Sequence, residues 1–121
     1  MSKKLEHLEN KTILGLIEQV KIITKNNEEL TLDARIDTGA QNSSIDISLA
    51  EELKLGPVVK EKIIKQSMGS EKRKVIKISV KIKDKKISGL FTLSNRSKMK
   101  YSILIGQNLL KKGDFLIDPN K

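Results

Sequence analysis

Apolar and polar residues alternate along most of this chain. Ile76, Ile78, Val80 and Ile82 interleave with Lys77, Ser79, Lys81 and Lys83, and after Asp84-Lys85 the alternation resumes through Ile87, Gly89, Phe91 and Leu93. A period of two sends successive side chains to opposite faces of a strand, so this segment predicts a β-hairpin. Residues 12–24 and 29–36 predict a second hairpin, with Asn26-Asn27 suited to its turn. Val58 to Gln66 and the segment from Lys72 onward flank Met68-Gly69-Ser70 and predict a third. Only two stretches have helical spacing. Residues 47–55 (ISLAEELKL) place Ser48 three positions before Glu51, the spacing of a capping box, and Gly56-Pro57 stops them; residues 107–112 lie between Gly106 and Gly113. Six or seven short strands, one or two short helices, and an aliphatic stock of 16 Ile, 15 Leu and 5 Val predict an all-β fold, a small closed or nearly closed barrel.

Composition narrows the chemistry. A chain of 121 residues forms one compact domain and leaves no room for a nucleotide-binding fold beside a separate substrate domain. There is no cysteine and one histidine, His7, which removes disulfides, thiol nucleophiles and the His/Cys sets that hold zinc. Carboxylates, hydroxyls and amines remain. The net charge of +9 invites an anionic partner, yet lysines 60, 62, 65, 72, 74, 77, 81, 83, 85 and 86 are spread through alternating segments, as on a solvated strand face. Aromatic residues are limited to Phe91, Tyr101 and Phe115, and lysine outnumbers arginine 21 to 3, which counts against nucleic acid as a partner. The apolar run at residues 13–17 falls far short of the roughly 20 residues of a membrane span, and residues 1–10 lack the pattern of a secretory signal. The expectation is a cytoplasmic protein that engages no membrane, with residues 1–11 a flexible tail and residues 12–121 the folded domain.

Chemistry concentrates in Ala34-Arg35-Ile36-Asp37-Thr38-Gly39-Ala40, an apolar strand that ends abruptly in a small polar turn. A carboxylate at a strand end projects from a rigid scaffold, Gly39 lets the backbone approach a ligand, and the Thr38 hydroxyl can lock the loop. Later in the chain Ile103-Leu104-Ile105-Gly106-Gln107-Asn108-Leu109-Leu110 reads as an apolar strand, a glycine and a short helix.

Together these elements resemble the retroviral-type aspartic proteases, the retropepsins, which carry one Asp-Thr-Gly-Ala loop, a flap hairpin, and an apolar-apolar-Gly strand before a helix, in this order. The chain is more similar still to the RimK-associated retropepsin-like family often labelled ATP-dependent zinc protease. That resemblance covers about residues 12–120. It rests on Ile13-Leu14-Gly15, residues 34–44 (ARIDTGAQNSS), residues 95–101 (NRSKMKY) leading into Ile103-Leu104-Ile105-Gly106, and Phe115-Leu116-Ile117-Asp118-Pro119. It implies a retropepsin-like barrel and a peptide hydrolase with Asp37 as the catalytic residue. By the same resemblance Thr38, Gly39 and Ala40 are expected to form the active-site loop and the seat of the substrate, Met68, Gly69 and Ser70 are the flap-tip candidates, and Leu104, Ile105 and Gly106 are expected to give late-strand support. Because the mechanism needs two carboxylates sharing a proton and the chain has one Asp-Thr-Gly, the resemblance also implies a homodimer that binds polypeptide in extended form. The zinc and ATP of the label find no residues here: there is no His-Glu-x-x-His and no Gly-x4-Gly-Lys-Ser/Thr loop. No metal or cofactor is expected.

One departure concerns the dimer. Retroviral members commonly pair an acid directly after Gly-Ala with an arginine directly after the late glycine. Gln41 and Gln107 stand here, which implies an amide pair in place of an ion pair. The competing readings are a non-catalytic basic barrel that binds an acidic polypeptide or nucleic acid, and a retropepsin-like fold that stays monomeric and silent.

Overall fold

The computed structural model describes residues 11–121. The tail reading therefore falls, apart from Lys11, outside the described residues, as does His7. Lys11 itself pairs with Asp114.

In chain order the elements are β1 (Ile13–Leu14), β2 (Ile17–Ile23), β3 (Glu29–Ile36), β4 (Ser43–Asp46), α1 (Ile47–Glu52), β5 (Val58–Gln66), β6 (Gly69–Ile82), β7 (Lys85–Ser94), β8 (Ile103–Ile105), α2 (Gln107–Lys112) and β9 (Leu116–Ile117). Strands β2, β3, β8, β4, β7 and β6 follow one another around a sheet, and β6 pairs back onto β2, so six strands close into a barrel. Strand β5 lies outside the ring, on β6. The hairpins predicted from alternation are present: β2–β3, β5–β6 and β6–β7 are all antiparallel.

Alternation also selects the core. Ile76, Ile78, Val80 and Ile82 of β6 and Ile87 and Phe91 of β7 are buried, joined inside the barrel by Val20, Ile22, Ala34, Ile36, Ile45, Ile103 and Ile105. Phe91 is the only aromatic residue in that buried cluster. Gly89 belongs to the same inward row; a Cβ there would stand 2.7 Å from Leu109 Cδ1, so α2 seats directly against β7. Among the described residues no helix is long and apolar enough to cross a membrane.

Two local expectations are corrected. The strand expected over residues 12–24 breaks at Gly15, whose amide donates to the Glu18 carboxylate at 2.6 Å instead of to a neighbouring strand. Residues 13–14 pair in parallel with β9, Ile13 opposite Leu116 and Leu14 opposite Ile117. Burial pushes the Glu18 carboxyl up, but the Gly15 amide, Lys83 and Lys121 outweigh it and hold its pKa below the ordinary value. The capping box of Ser48 and Glu51 does not form. Asp46, already extended at the end of β4, is the N-cap, and its side chain accepts from the Leu49 amide, so the helix begins before Ser48 can serve. The helix ends at Glu52, ahead of Lys54, which takes a left-handed conformation at φ 55°.

Replacing Phe91 by Ala removes the largest fully buried side chain from a ring of aliphatic neighbours. The expected loss is about 3–5 kcal/mol of folding stability, read as a lower urea midpoint with an unchanged slope.

Candidate active site

Strand β3 delivers Asp37 to the end of the barrel. It runs parallel to β8, with Ala34, Arg35 and Ile36 opposite Ile103, Leu104 and Ile105. The ladder reaches one residue beyond β3: the Asp37 amide donates to Ile105 O at 2.9 Å, while the Ile36 amide donates to Leu16 O at 2.8 Å. The chain then folds on itself. Asp37 Oδ1 accepts from the Gly39 amide at 2.9 Å, and Asp37 O accepts from the Ala40 amide at 3.3 Å. Asp37 is half-buried and Thr38 and Gly39 are exposed. The second carboxylate oxygen, Oδ2, has no hydrogen-bond partner among the described residues.

The floor beneath this loop is backbone packed on backbone. The Gln107 amide donates to Ala40 O at 2.7 Å and the Asn108 amide to Gln41 O at 3.2 Å. A Cβ at Gly106 would lie 2.5 Å from Asn42 O and 2.8 Å from Ala40 O, so no other residue fits there without moving the loop. Behind the floor, Ser43 is buried, and its hydroxyl accepts from the Gly106 amide at 2.9 Å while donating to Asn108 Oδ1 at 2.8 Å. The same Asn108 oxygen takes the Ser43 amide at 3.0 Å, and the Asn108 amide nitrogen donates to Leu90 O at 2.9 Å. One side chain thereby ties α2 to β4 and β7.

The amide pair expected of Gln41 and Gln107 is not the contact made. Gln107 Nε2 donates to Thr38 O at 2.8 Å, because α2 starts directly beneath the Asp37 turn and brings its first side chain to that carbonyl. On the other flank the segment 95–102 is pinned by Arg96. Its amide donates to Asp46 Oδ1 at 2.7 Å, its Nε to Tyr101 O at 2.9 Å, and its Nη1 to Ser44 Oγ at 3.3 Å. Burial lowers the Arg96 pKa, Asp46 and Asp37 oppose the shift, and Arg73 and Arg35 add to it.

The β5–β6 hairpin turns through Ser67 and Met68, with Gln66 opposite Gly69 at φ 130°. Met68 is 96% exposed, and Gly69 and Ser70 begin the returning strand. Toward its base the hairpin touches the floor, where Lys62 Nζ donates to Asn42 Oδ1 at 2.9 Å. The structure thus joins Thr38, Gly39 and Ala40 to Asp37, and Ile105 and Gly106 to that loop, while Met68, Gly69 and Ser70 stand at the outer end of the hairpin. Sequence reasoning gave no role to Ser43, Asn108 or Arg96. All three lie inside the quoted motifs, and their signal was polarity next to apolar strand ends. Among the described residues no cluster of three His, Asp or Glu side chains is placed to hold a metal ion.

A family model described as RimB-like, retropepsin-like aspartic endopeptidase RimB, matches residues 48–121. The match takes in the β5–β6 hairpin, Leu104-Ile105-Gly106 and Asn108, and begins after Asp37. No curated protein matches the chain. Among solved structures, the Legionella pneumophila subsp. pneumophila str. Philadelphia 1 protein Lpg0085, of unknown function (DUF785), is 22% identical with a TM-score of 0.62, over 91% of this chain and 94% of its own. The EIAV protease in complex with the inhibitor HBY-793 is 19% identical with a TM-score of 0.63, over 82% of this chain and 88% of its own. The simian foamy virus (mac) protease is 20% identical with a TM-score of 0.55, over 74% and 86%. These likenesses are of fold: the closed barrel with two short helices is retropepsin-like.

Asn108→Ala removes the acceptor of the buried Ser43 amide and hydroxyl and the donor to Leu90 O. At about 1–3 kcal/mol for a buried group left unpaired, the expected destabilisation is about 3 kcal/mol, measured by urea unfolding.

Proposed function

The chain belongs to the RimB-like family of retropepsin-like aspartic endopeptidases, and from that premise we propose that it hydrolyses peptide bonds as a homodimer in which the two copies of Asp37 form the catalytic dyad. The observation that carries this reading is the Asp37 carboxylate itself, fixed by one Gly39 amide, open at its second oxygen, and set on a loop braced from below by Ile105, Gly106 and Gln107. A single such carboxylate cannot act as both base and acid on one scissile bond. A twofold axis through the loop supplies the second one.

The surface around the loop supports such an axis. Leu16, whose carbonyl holds Ile36, is 50% exposed, and Ile17 beside it 41%. Thr38 also borders a cleft of about 340 Å³ in which Leu110, Phe115 and Ile117 stand beside Gln107, Lys111 and Asp114. Apolar surface flanking a catalytic loop is suited to burial against a second copy of itself.

In the proposed cycle one carboxylate of the pair is ionised and the other protonated, since two like charges this close do not ionise together. The ionised Asp37 takes a proton from a water held between the carboxyls. The water oxygen attacks the carbonyl carbon of the scissile bond, and the protonated Asp37 donates to the carbonyl oxygen. Collapse of the tetrahedral intermediate expels the amine, which takes its proton from the Asp37 that received the water's proton, while one hydroxyl of the intermediate gives its proton to the other Asp37 and restores the starting pair. Thr38 links the two loops across the axis, Gly39 and Ala40 seat the extended substrate, and Leu104, Ile105 and Gly106 form its floor. The β5–β6 hairpin, with Met68, Gly69 and Ser70 at its tip, closes over it. The protease unit is residues 12–121.

Asp37→Asn retains the Gly39 contact and is expected to stay folded, while cleavage of a mixed peptide library, followed by mass spectrometry, drops by about 10³-fold or more. Turnover equal to that of the unsubstituted protein would remove Asp37 from the mechanism. Specific activity is expected to fall on dilution through the dimer dissociation constant, whereas a specific activity that stays flat where sedimentation finds only monomer rules out a shared dyad.

A further inference from the structure

Three strands of the barrel carry lysines in a line on their outer face. Lys21 of β2 is directly opposite Lys81 of β6, and Lys81 is directly opposite Lys86 of β7. Residues opposed in register share a face, and like charges so placed repel. The next row on that face is Ile23, Ser79 and Ser88, with the two serine hydroxyls 2.8 Å apart, and Lys77 stands one row further along β6.

Two carboxylates of this wall are engaged, while Asp33 of β3, opposite Gln19, has no ion pair among the described residues. Glu29 lies 3.9 Å from Lys21, and Glu18 is held by Lys83 and Lys121. Lys25, Lys77, Lys81 and Lys86 have no ion pair among the described residues. Two clefts flank the row. One of about 290 Å³ is lined by Thr24, Lys25, Asn27, Lys77, Ser79 and Lys86. The other, of about 230 Å³, is lined by Glu18, Gln19, Lys21, Thr31, Lys81 and Lys83.

We propose that this wall is a binding site for a chain of phosphate groups, inorganic polyphosphate, recognised chiefly by charge. Neighbouring strands set the lysines about 4.8 Å apart. Every link of a polyphosphate carries a charge, so the chain can meet successive ammonium groups at that spacing. An extended acidic polypeptide offers carboxylates on one face only about every 7 Å. Lysines are point charges that donate to phosphate oxygens in any direction, and the Thr24 hydroxyl and one of the paired Ser79 and Ser88 hydroxyls add neutral donors. Neither cleft is lined by an aromatic ring, so nothing here stacks on a nucleic-acid base. The turn at Thr24–Asn27 and Asp37 lie at opposite ends of β3, about 25 Å apart by strand rise, so the bound chain leaves the Asp37 loop open.

Calorimetric titration of the full chain with short-chain polyphosphate tests this. Saturable binding is expected, weakened at least about tenfold in the K81Q/K86Q variant, with a log K against log salt slope shallower by about 2. The K98Q/K100Q variant, with the same charge loss on the 95–102 segment, is expected to bind as the unsubstituted protein does. A thymidine oligonucleotide and polyaspartate of equal charge are expected to bind more weakly. Absence of saturable binding, unchanged affinity in K81Q/K86Q, an equal loss in K98Q/K100Q, or tighter binding of either other polymer overturns the proposal.

Discussion

The close approach at Gly106 is the constraint on which the rest of the site depends. The backbones of residues 40–42 and 106–108 run so near each other that the space of one methyl group separates a braced loop from a displaced one. With glycine in place, Gln107 and Asn108 satisfy the Ala40 and Gln41 carbonyls, and the Gly106 amide reaches the Ser43 hydroxyl. The Ala40 and Gln41 carbonyls and the buried Ser43 hydroxyl then all have partners, and hydrogen bonds so satisfied favour a single geometry. The Asp37 carboxylate inherits that rigidity.

Alternation along β2, β3, β6 and β7 was legible because each strand has one face in the core and one in water, and a period of two records that asymmetry directly. The barrel itself was legible from many short strands and few helical stretches. What the residues alone did not disclose depends on contacts distant in sequence. β1 leaves the β2 strand because its partner, β9, lies about a hundred residues away. The N-cap of α1 went to Asp46 because β4 delivers it in the extended conformation that a cap requires. Ser43 and Asn108 read as ordinary polar residues until packing places them back to back. The place of Asp37 at a strand end was legible because Asp-Thr-Gly after an apolar run is a short-range feature, whereas the destination of Gln107 is set by where α2 begins.

On the readings proposed above, the molecule divides its labour along β3. One end holds a carboxylate in a layer of satisfied backbone, where small shifts in position matter to chemistry. The other end meets a lysine-rich wall whose side chains are long and exposed, suited to attraction without exact geometry. The family match covers the hairpin, β8 and α2, the supports of the loop, and leaves the loop itself to be judged on its own geometry.

The parallel pairing of β3 with β8 also orders events during synthesis. Asp37 is made when little more than β1 to β3 exists, but the carbonyl that accepts its amide belongs to Ile105, and the glycine that admits its loop is the next residue. Chains emerge from the ribosome amino end first. A nascent chain therefore carries the carboxylate through most of its elongation with no floor beneath it. The site takes shape only when β8 and α2 arrive, so a cleaving form of the proposed protease appears late, after the rest of its own barrel has been made.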